Sequence, residues 1–256
     1  MKKILLVLMA IAMFVPAGAW AAGMFDLGIP ASWTIEGNAG ALGANGVVTL
    51  APSGGSQYGY VSSNSGITGL GLPYIGGTDG SRVRSSVFSA NAGEDLNFWF
   101  NYVTSDGAGY ADYAWSRLLD SSLNEVALLF TARTTPGGST VPGFGMPPIA
   151  ATINPALVTI SPGSSWAPLG GYSGACYSTG CGHTGWVEST YTIAAAGNYV
   201  LEFGVVDWSD QIYDSGLAFD GITVGGDPID VPEPGTLLLL GAGLTGLILA
   251  RKKFNK

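Results

Sequence analysis

Between its third residue and position 251 this chain has no lysine, and throughout it has one histidine and two cysteines. Lys2, Lys3, Arg251, Lys252, Lys253 and Lys256 are confined to the two ends. Residues 22–235 hold four basic side chains, Arg82, Arg84, Arg117 and Arg133, against 18 acidic ones, a net charge of −14. A field of that sign repels phosphate backbones and argues against nucleic acid as a partner, leaving cations and neutral polymers such as polysaccharide. Histidine and cysteine are too scarce for a zinc site, and the cysteines lack the Cys-x-x-Cys spacing of redox pairs. No Gly-x-Ser-x-Gly elbow occurs; Gly171-Tyr172-Ser173-Gly174 does not match it, so His183 reads as a turn residue rather than a catalytic base. Also missing are a helix-period stretch of useful length between Ala22 and Asp230 and any repeat of fixed period, which disfavours propellers and solenoids.

What is present is glycine, 40 residues scattered without a collagen-like period and interleaved with aromatics. Enough apolar area remains to offset chain entropy, so the composition points to a turn-rich all-β fold. Alternation is clear in three places. Leu96, Phe98, Phe100 and Tyr102 share one face of a strand; Val187, Ser189, Tyr191 and Ile193 share another; so do Tyr199, Leu201, Phe203 and Val205. Weaker candidates lie at 33–36, 46–50, 57–62, 82–89, 112–119, 125–132 and 215–224. About ten short strands predict an antiparallel two-sheet sandwich over 22–230, jelly-roll-like in its simplest form. Residues 134–185 break the rhythm. They hold half of the 14 prolines and both cysteines, and a connection that long is usually functional or disordered. Trp166, Tyr172, Tyr177 and Trp186, in and just after its second half, predict an ordered excursion packed on the sandwich.

The ends carry addresses. Residues 1–21 combine Lys2-Lys3, an apolar run from Ile4 to Val15 and Ala19-Trp20-Ala21. This is a signal-peptide pattern, with cleavage by signal peptidase expected before Ala22. At the other end Pro232, Glu233 and Pro234 form a stiff segment that cannot join a helix. Thr236 to Ala250 follows, 15 mostly apolar residues that span about 22 Å as a helix, and then a basic stop at 251–256. The positive-inside rule keeps that stop cytoplasmic and puts everything before 236 outside the inner membrane, as the signal peptide also requires. Pro-Glu-Pro, a short apolar helix over 236–250 and a basic tail together resemble the PEP-CTERM sorting signal of Gram-negative bacteria. The resemblance covers 231–256. It implies processing by an exosortase, a membrane-embedded cysteine transpeptidase, and passage from an anchored precursor facing the periplasm to the cell surface or extracellular matrix. The body resembles the jelly-roll ectodomains that accompany such tails, through Asn97–Asp106 and Asp214–Ile222.

Three sets of residues could carry chemistry. Cys176 and Cys181, exported to an oxidising compartment and five apart, predict a structural disulfide. Asp207, Asp210 and Asp214 follow one strand, while Asp106 and Asp112 flank another turn; paired loops of this kind can supply a calcium ion with oxygens, or form a solvated acidic rim. Trp208, Tyr213, Trp186 and Trp166 could stack on sugar rings or fill the core. Glu188, Glu202 and Asp207 are the acids a glycosidase would draw on. The expectation is a non-catalytic surface protein associated with extracellular polysaccharide. A carbohydrate-active enzyme on a jelly roll and an inert surface protein are the alternatives.

Overall fold

A computed structural model of the chain describes residues 23–110, 112–135 and 139–229. The signal segment 1–21, Pro232, Glu233, Pro234, the 236–250 span and the 251–256 tail lie outside the described residues. In chain order the strands are β1 (Thr34–Glu36), β2 (Asn38–Leu42), β3 (Tyr58–Ser62), β4 (Ile67–Thr68) and β5 (Asp79–Arg84). Then come β6 (Phe88–Ala90), β7 (Asp95–Thr104), β8 (Tyr113–Asp120), β9 (Glu125–Arg133) and β10 (Thr152–Asn154). The last are β11 (Gly182–His183), β12 (Val187–Thr192), β13 (Gly197–Val206), β14 (Ser215–Val224) and β15 (Asp227–Pro228). Among the described residues the one helical element is a 3-10 turn at Ala167–Tyr172, and no helix is long and apolar enough to cross a membrane.

The strands form two antiparallel sheets. One runs β1-β5-β13-β8-β9, the other β10-β12-β7-β14-β3-β2, with short strands at the margins. In both, a late strand is inserted between earlier ones, β13 between β5 and β8 and β14 between β7 and β3, as expected of a jelly-roll-like sandwich. The three period-2 segments supply central or adjoining strands, and their apolar faces meet between the sheets. Phe98, Phe100, Phe130, Phe203 and Phe219 fill that space. Phe100 stacks on Phe130 with ring centroids 3.8 Å apart, and Phe203 on Phe219 at 4.3 Å. The core is thus held by aromatic contacts reaching across the two sheets.

Two expected strands differ in detail. Residues 46–50 make no ladder. Asn45 and Val48 close a tight turn on each other, and the Val47 N–H donates to the Ser165 carbonyl at 2.8 Å, so this segment is tied to the 134–185 connection. Residues 82–89 split into β5 and β6, because the Ser85 hydroxyl accepts the Leu201 N–H that a continuous ladder would have used. Unforeseen was β2, whose Asn-Ala-Gly-Ala-Leu lacks any β-branched or aromatic residue.

The first half of the 134–185 connection runs beside β9 and adds Val141, Ile153 and Val158 to the main core, while the part around Trp166 lies over the outer face of the second sheet. Trp166 is fully buried there with Val48, Tyr58, Val103, Leu169 and Ala218, and its Nε1–H donates to the Tyr58 hydroxyl at 2.9 Å. Glycine on the strand below is required for this. A Cβ on Gly216 would sit 2.4 Å from the Trp166 ring. Trp166→Phe removes the bond and leaves a small void, so thermal or urea melts should show a loss of about 2 kcal/mol. An unchanged melt would mean that this connection is not part of the cooperative fold.

Candidate functional site

Strand register gathers the acids. Val206 at the end of β13 pairs with Gly80 of β5 and Tyr113 of β8, while Ser215 at the start of β14 pairs with Thr104 at the end of β7. Five chain segments therefore reach the same end of the sandwich, bringing Asp79, Asp106, Asp112, Asp207, Asp210 and Asp214 with them. The sequence placed five of these six on turns; Asp79, the first residue of β5 in a Gly-Gly-Thr-Asp-Gly stretch, gave no period or spacing to mark it.

Most of this cluster is not a solvated rim. Asp106, Asp112, Asp207 and Asp214 are buried. Asp112 is well served: Ser215 Oγ donates to Oδ2 at 2.8 Å and the Trp208 N–H to Oδ1 at 3.1 Å. Ser63 Oγ donates to Asp214 Oδ1 at 3.2 Å. Asp207 is different. It is 1% exposed, and neither carboxylate oxygen accepts a hydrogen bond of normal geometry, although Ser63 and Asp112 lie beside it. Asp106 Oδ2 and Asp79 Oδ1 are unpartnered as well. Burial is the main cause that raises Asp207, Asp106, Asp214 and Asp112. It pushes Asp207 up to about 8, with Asp214 and Asp79 adding repulsion against the Ser63 hydrogen bond, and Asp106 up to about 7, with Asp210 adding to it. Asp214 rises to about 6, and Asp112 goes well above the usual carboxylate range through burial and the neighbouring Asp207 and Asp106.

Above the acids lies an aromatic group. The ring of Tyr213 lies 4.8 Å from that of Tyr172 and 5.1 Å from that of Tyr177, and Tyr177 meets Tyr110 at 5.5 Å. Tyr110, Tyr177, Tyr213, Ile212, Asp106 and Asp210 line a cavity of about 110 Å³. Tyr213 adopts φ 63, a backbone region that bulky residues rarely occupy, so its ring is held in place at some local cost. The disulfide Cys176–Cys181, with Cα atoms 5.6 Å apart, closes the loop that carries Tyr177. That loop is laced to the β7–β8 turn. Tyr177 N–H donates to Ser105 O at 2.9 Å, Ser178 N–H to Asp106 O at 3.1 Å, and Ala108 N–H to Thr179 O at 3.0 Å.

The structure sorts the sequence candidates. Tyr213 joins the cavity. Trp166 belongs to the packed interior, and Trp186 is half-buried against Tyr58 with its Nε1–H on Thr49 O. Trp208 is exposed but lies under the Arg133 guanidinium, 4.1 Å from the ring centroid. Tyr110, Tyr172 and Tyr177 complete the cluster; Tyr172 and Tyr177 stood out in the sequence as packing residues of the excursion, and Tyr110 carried no signal. For calcium, Asp106, Asp112, Asp207 and Asp214 are close neighbours, yet among the described residues no three acid, His or Cys side chains are grouped to hold a metal ion. A calcium ion here would lean on carbonyl and water oxygens beside one or two carboxylates. The glycosidase candidates are dispersed: Glu188 lies on β12 of one sheet, Glu202 on the outer face of the other, and Asp207 at the acidic end. His183 sits in β11, its Nδ1 3.0 Å from Gly163 O.

Residues 230–253 match the model of the PEP-CTERM protein-sorting motif. The chain carries a PEP-CTERM sorting motif. The motif marks it as an exported, membrane-anchored precursor that an exosortase processes to the cell surface. No curated protein matches the chain. Among solved structures, the K1 cleaved adhesin domain of Lys-gingipain from Porphyromonas gingivalis is 16% identical, with a TM-score of 0.41 over 78% of this chain and 94% of that one. The K3 domain of the same protein is 14% identical, with a TM-score of 0.41 over 80% and 97%. The enzymatically active domain of bacteriophage CBA120 tailspike protein 4 is 13% identical, with a TM-score of 0.34 over 76% of this chain and 19% of that one.

Proposed function

We propose that this protein is a non-catalytic surface module that associates with extracellular polysaccharide through the tyrosine-lined cavity. The observation that carries the reading is the contact chain Tyr110–Tyr177–Tyr213–Tyr172 at one end of the sandwich, over buried carboxylates. Flat rings with hydroxyl edges suit sugar faces, which offer C–H bonds to stack and hydroxyls to bond. Sorting through the envelope supports the same reading, since it delivers the module to a polysaccharide-bearing surface. Export by signal-peptide cleavage before Ala22, with transient anchoring in the inner membrane through 236–250, completes the proposed route.

The test is binding of full-length protein, purified in mild detergent, to the host's own extracellular polysaccharide, with calcium and with chelator. Saturable binding is expected. Tyr177→Ala and Tyr213→Ala should each weaken it about tenfold, equivalent to about 1.4 kcal/mol. Tyr74→Ala, at a fully exposed tyrosine elsewhere on the surface, should leave it unchanged. No binding in either condition, or equal losses in all three variants, would remove the cavity from consideration. Loss with chelator alone would add a cation to the site.

A further inference from the structure

The cavity that serves the proposed function is lined by two unlike kinds of residue, the tyrosines Tyr110, Tyr177 and Tyr213 and the acids Asp106 and Asp210. Asp106 is 1% exposed and its Oδ2 has no hydrogen-bond partner. Asp210 is half-buried; its Oδ1 accepts the Ile212 N–H at 3.1 Å. Arg82, Arg84 and Arg117 are engaged with Glu36, Glu125 and Glu202 on the outer face of the first sheet, and the Arg133 guanidinium lies over Trp208. No cation lines the cavity. A neutral sugar would need neither the orphaned oxygen nor the second acid.

We propose that the cavity selects a protonated amine on its glycan, so that the ligand class is an amino-sugar polymer with free amino groups. This rests on the glycan reading and narrows it. An ammonium group on a sugar ring is small enough for 110 Å³. It is attracted by the faces of tyrosine rings, and it carries the N–H donors that Asp106 Oδ2 lacks. Burial of Asp106, which costs stability in the free protein, is then offset in the complex by a charge-assisted hydrogen bond. The disulfide loop and the left-handed Tyr213 hold the rings over the acids before the ligand arrives, which lowers the ordering cost of binding.

The test uses a glucosamine hexamer and its fully N-acetylated counterpart, titrated calorimetrically against full-length protein in detergent and neutral buffer, where Asp106 can give up its proton to the complex. The free amine should bind at least tenfold tighter, and Asp106→Asn should abolish that preference. Thermal melts confirm that the variant is folded. Asp120→Asn, at an exposed turn far from the cavity, controls for general attraction to an acidic protein and should keep the preference. Equal affinity for both oligomers overturns the amine and leaves glycan binding intact. So does equal loss in the two Asp variants, or binding of the host polysaccharide with no binding of either hexamer. Failure of the host polysaccharide itself to bind removes the underlying reading as well.

Discussion

Replacing Glu202 by alanine is expected to destabilise the protein by about 3–5 kcal/mol and, for a domain of this size, to lower its melting temperature by roughly 10 °C. Glu202 is fully buried on the outer face of β13, between Val200 and Gly204 in the pleat. Its Oε1 accepts from Arg117 Nη2 at 2.6 Å, Arg117 Nε at 2.8 Å and Trp115 Nε1 at 2.9 Å; Oε2 accepts from Arg84 Nε at 2.8 Å. Arg84 and Arg82 share Glu36, and Arg117 also reaches Glu125 at 3.3 Å. Removing the central carboxylate leaves a buried indole N–H unpaired and brings like charges together with little water to screen them. The alternative outcome is informative. If Glu202→Ala costs under 1 kcal/mol, the arginines swing to solvent and the network is surface decoration. Replacing the carboxylate and both partners together, Glu202→Leu with Arg84→Met and Arg117→Met, should cost far less than Glu202→Ala alone, because buried ion pairs are stabilising mainly relative to their broken halves. The same geometry explains why Glu202 is no glycosidase acid: both of its oxygens are occupied.

Legibility in the sequence followed the physics that produces each signal. Strands β7, β12 and β13 were plain because half-buried strands impose a period of 2, and their inward faces are those on which the aromatics recur. The split at Ser85 and the quiet strand β2 were not, since one turns on a side-chain hydrogen bond and the other on neighbours that do the packing. The two-layer architecture was legible from strand number and turn spacing. The site was legible only by halves. Acidic turns stood out as turns, but whether they formed a wet rim or a buried cluster depends on register between β5, β7, β13 and β14, which no local pattern encodes. Trp166 and Tyr177 belong to the same connection, yet one fills the interior and the other lines a cavity. The difference lies in Gly216, which leaves room for an indole, and in the Cys176–Cys181 loop, which turns Tyr177 outward.

The buried acids should make this protein more stable in mild acid than in mild alkali, the reverse of ordinary acid denaturation. For Asp106, Asp207 and Asp214 the folded carboxyls titrate near about 7, about 8 and about 6, whereas in the unfolded chain all three titrate near about 3.9. Asp112, raised well above the usual carboxylate range by burial and its neighbours, acts in the same direction. Between those limits the folded state binds more protons than the unfolded one, so stability falls as pH rises from about 4 to about 8 and levels off above. Below about pH 4 the slope reverses. Asp26 and Glu36 are held below their ordinary values, the first by hydrogen bonds from Ser56 and Gly23 against its burial and the second by Arg82, and their contribution is lost as they protonate. Thermal melts from about pH 3 to about pH 9 should therefore peak near about pH 4 and drop by several degrees at about pH 8.5. Asp207→Asn should flatten that slope and raise the pH 8.5 melt, because the amide takes up the same space without a charge to bury. A melting temperature that climbs steadily with pH would mean that the acids are ionised and solvated in the folded state, and would dissolve the distinction between this cluster and a surface rim. Calcium that replaced the protons would be visible in the same series, raising the melt at pH 8.5 and leaving it unmoved at pH 5, where the carboxyls are already neutral.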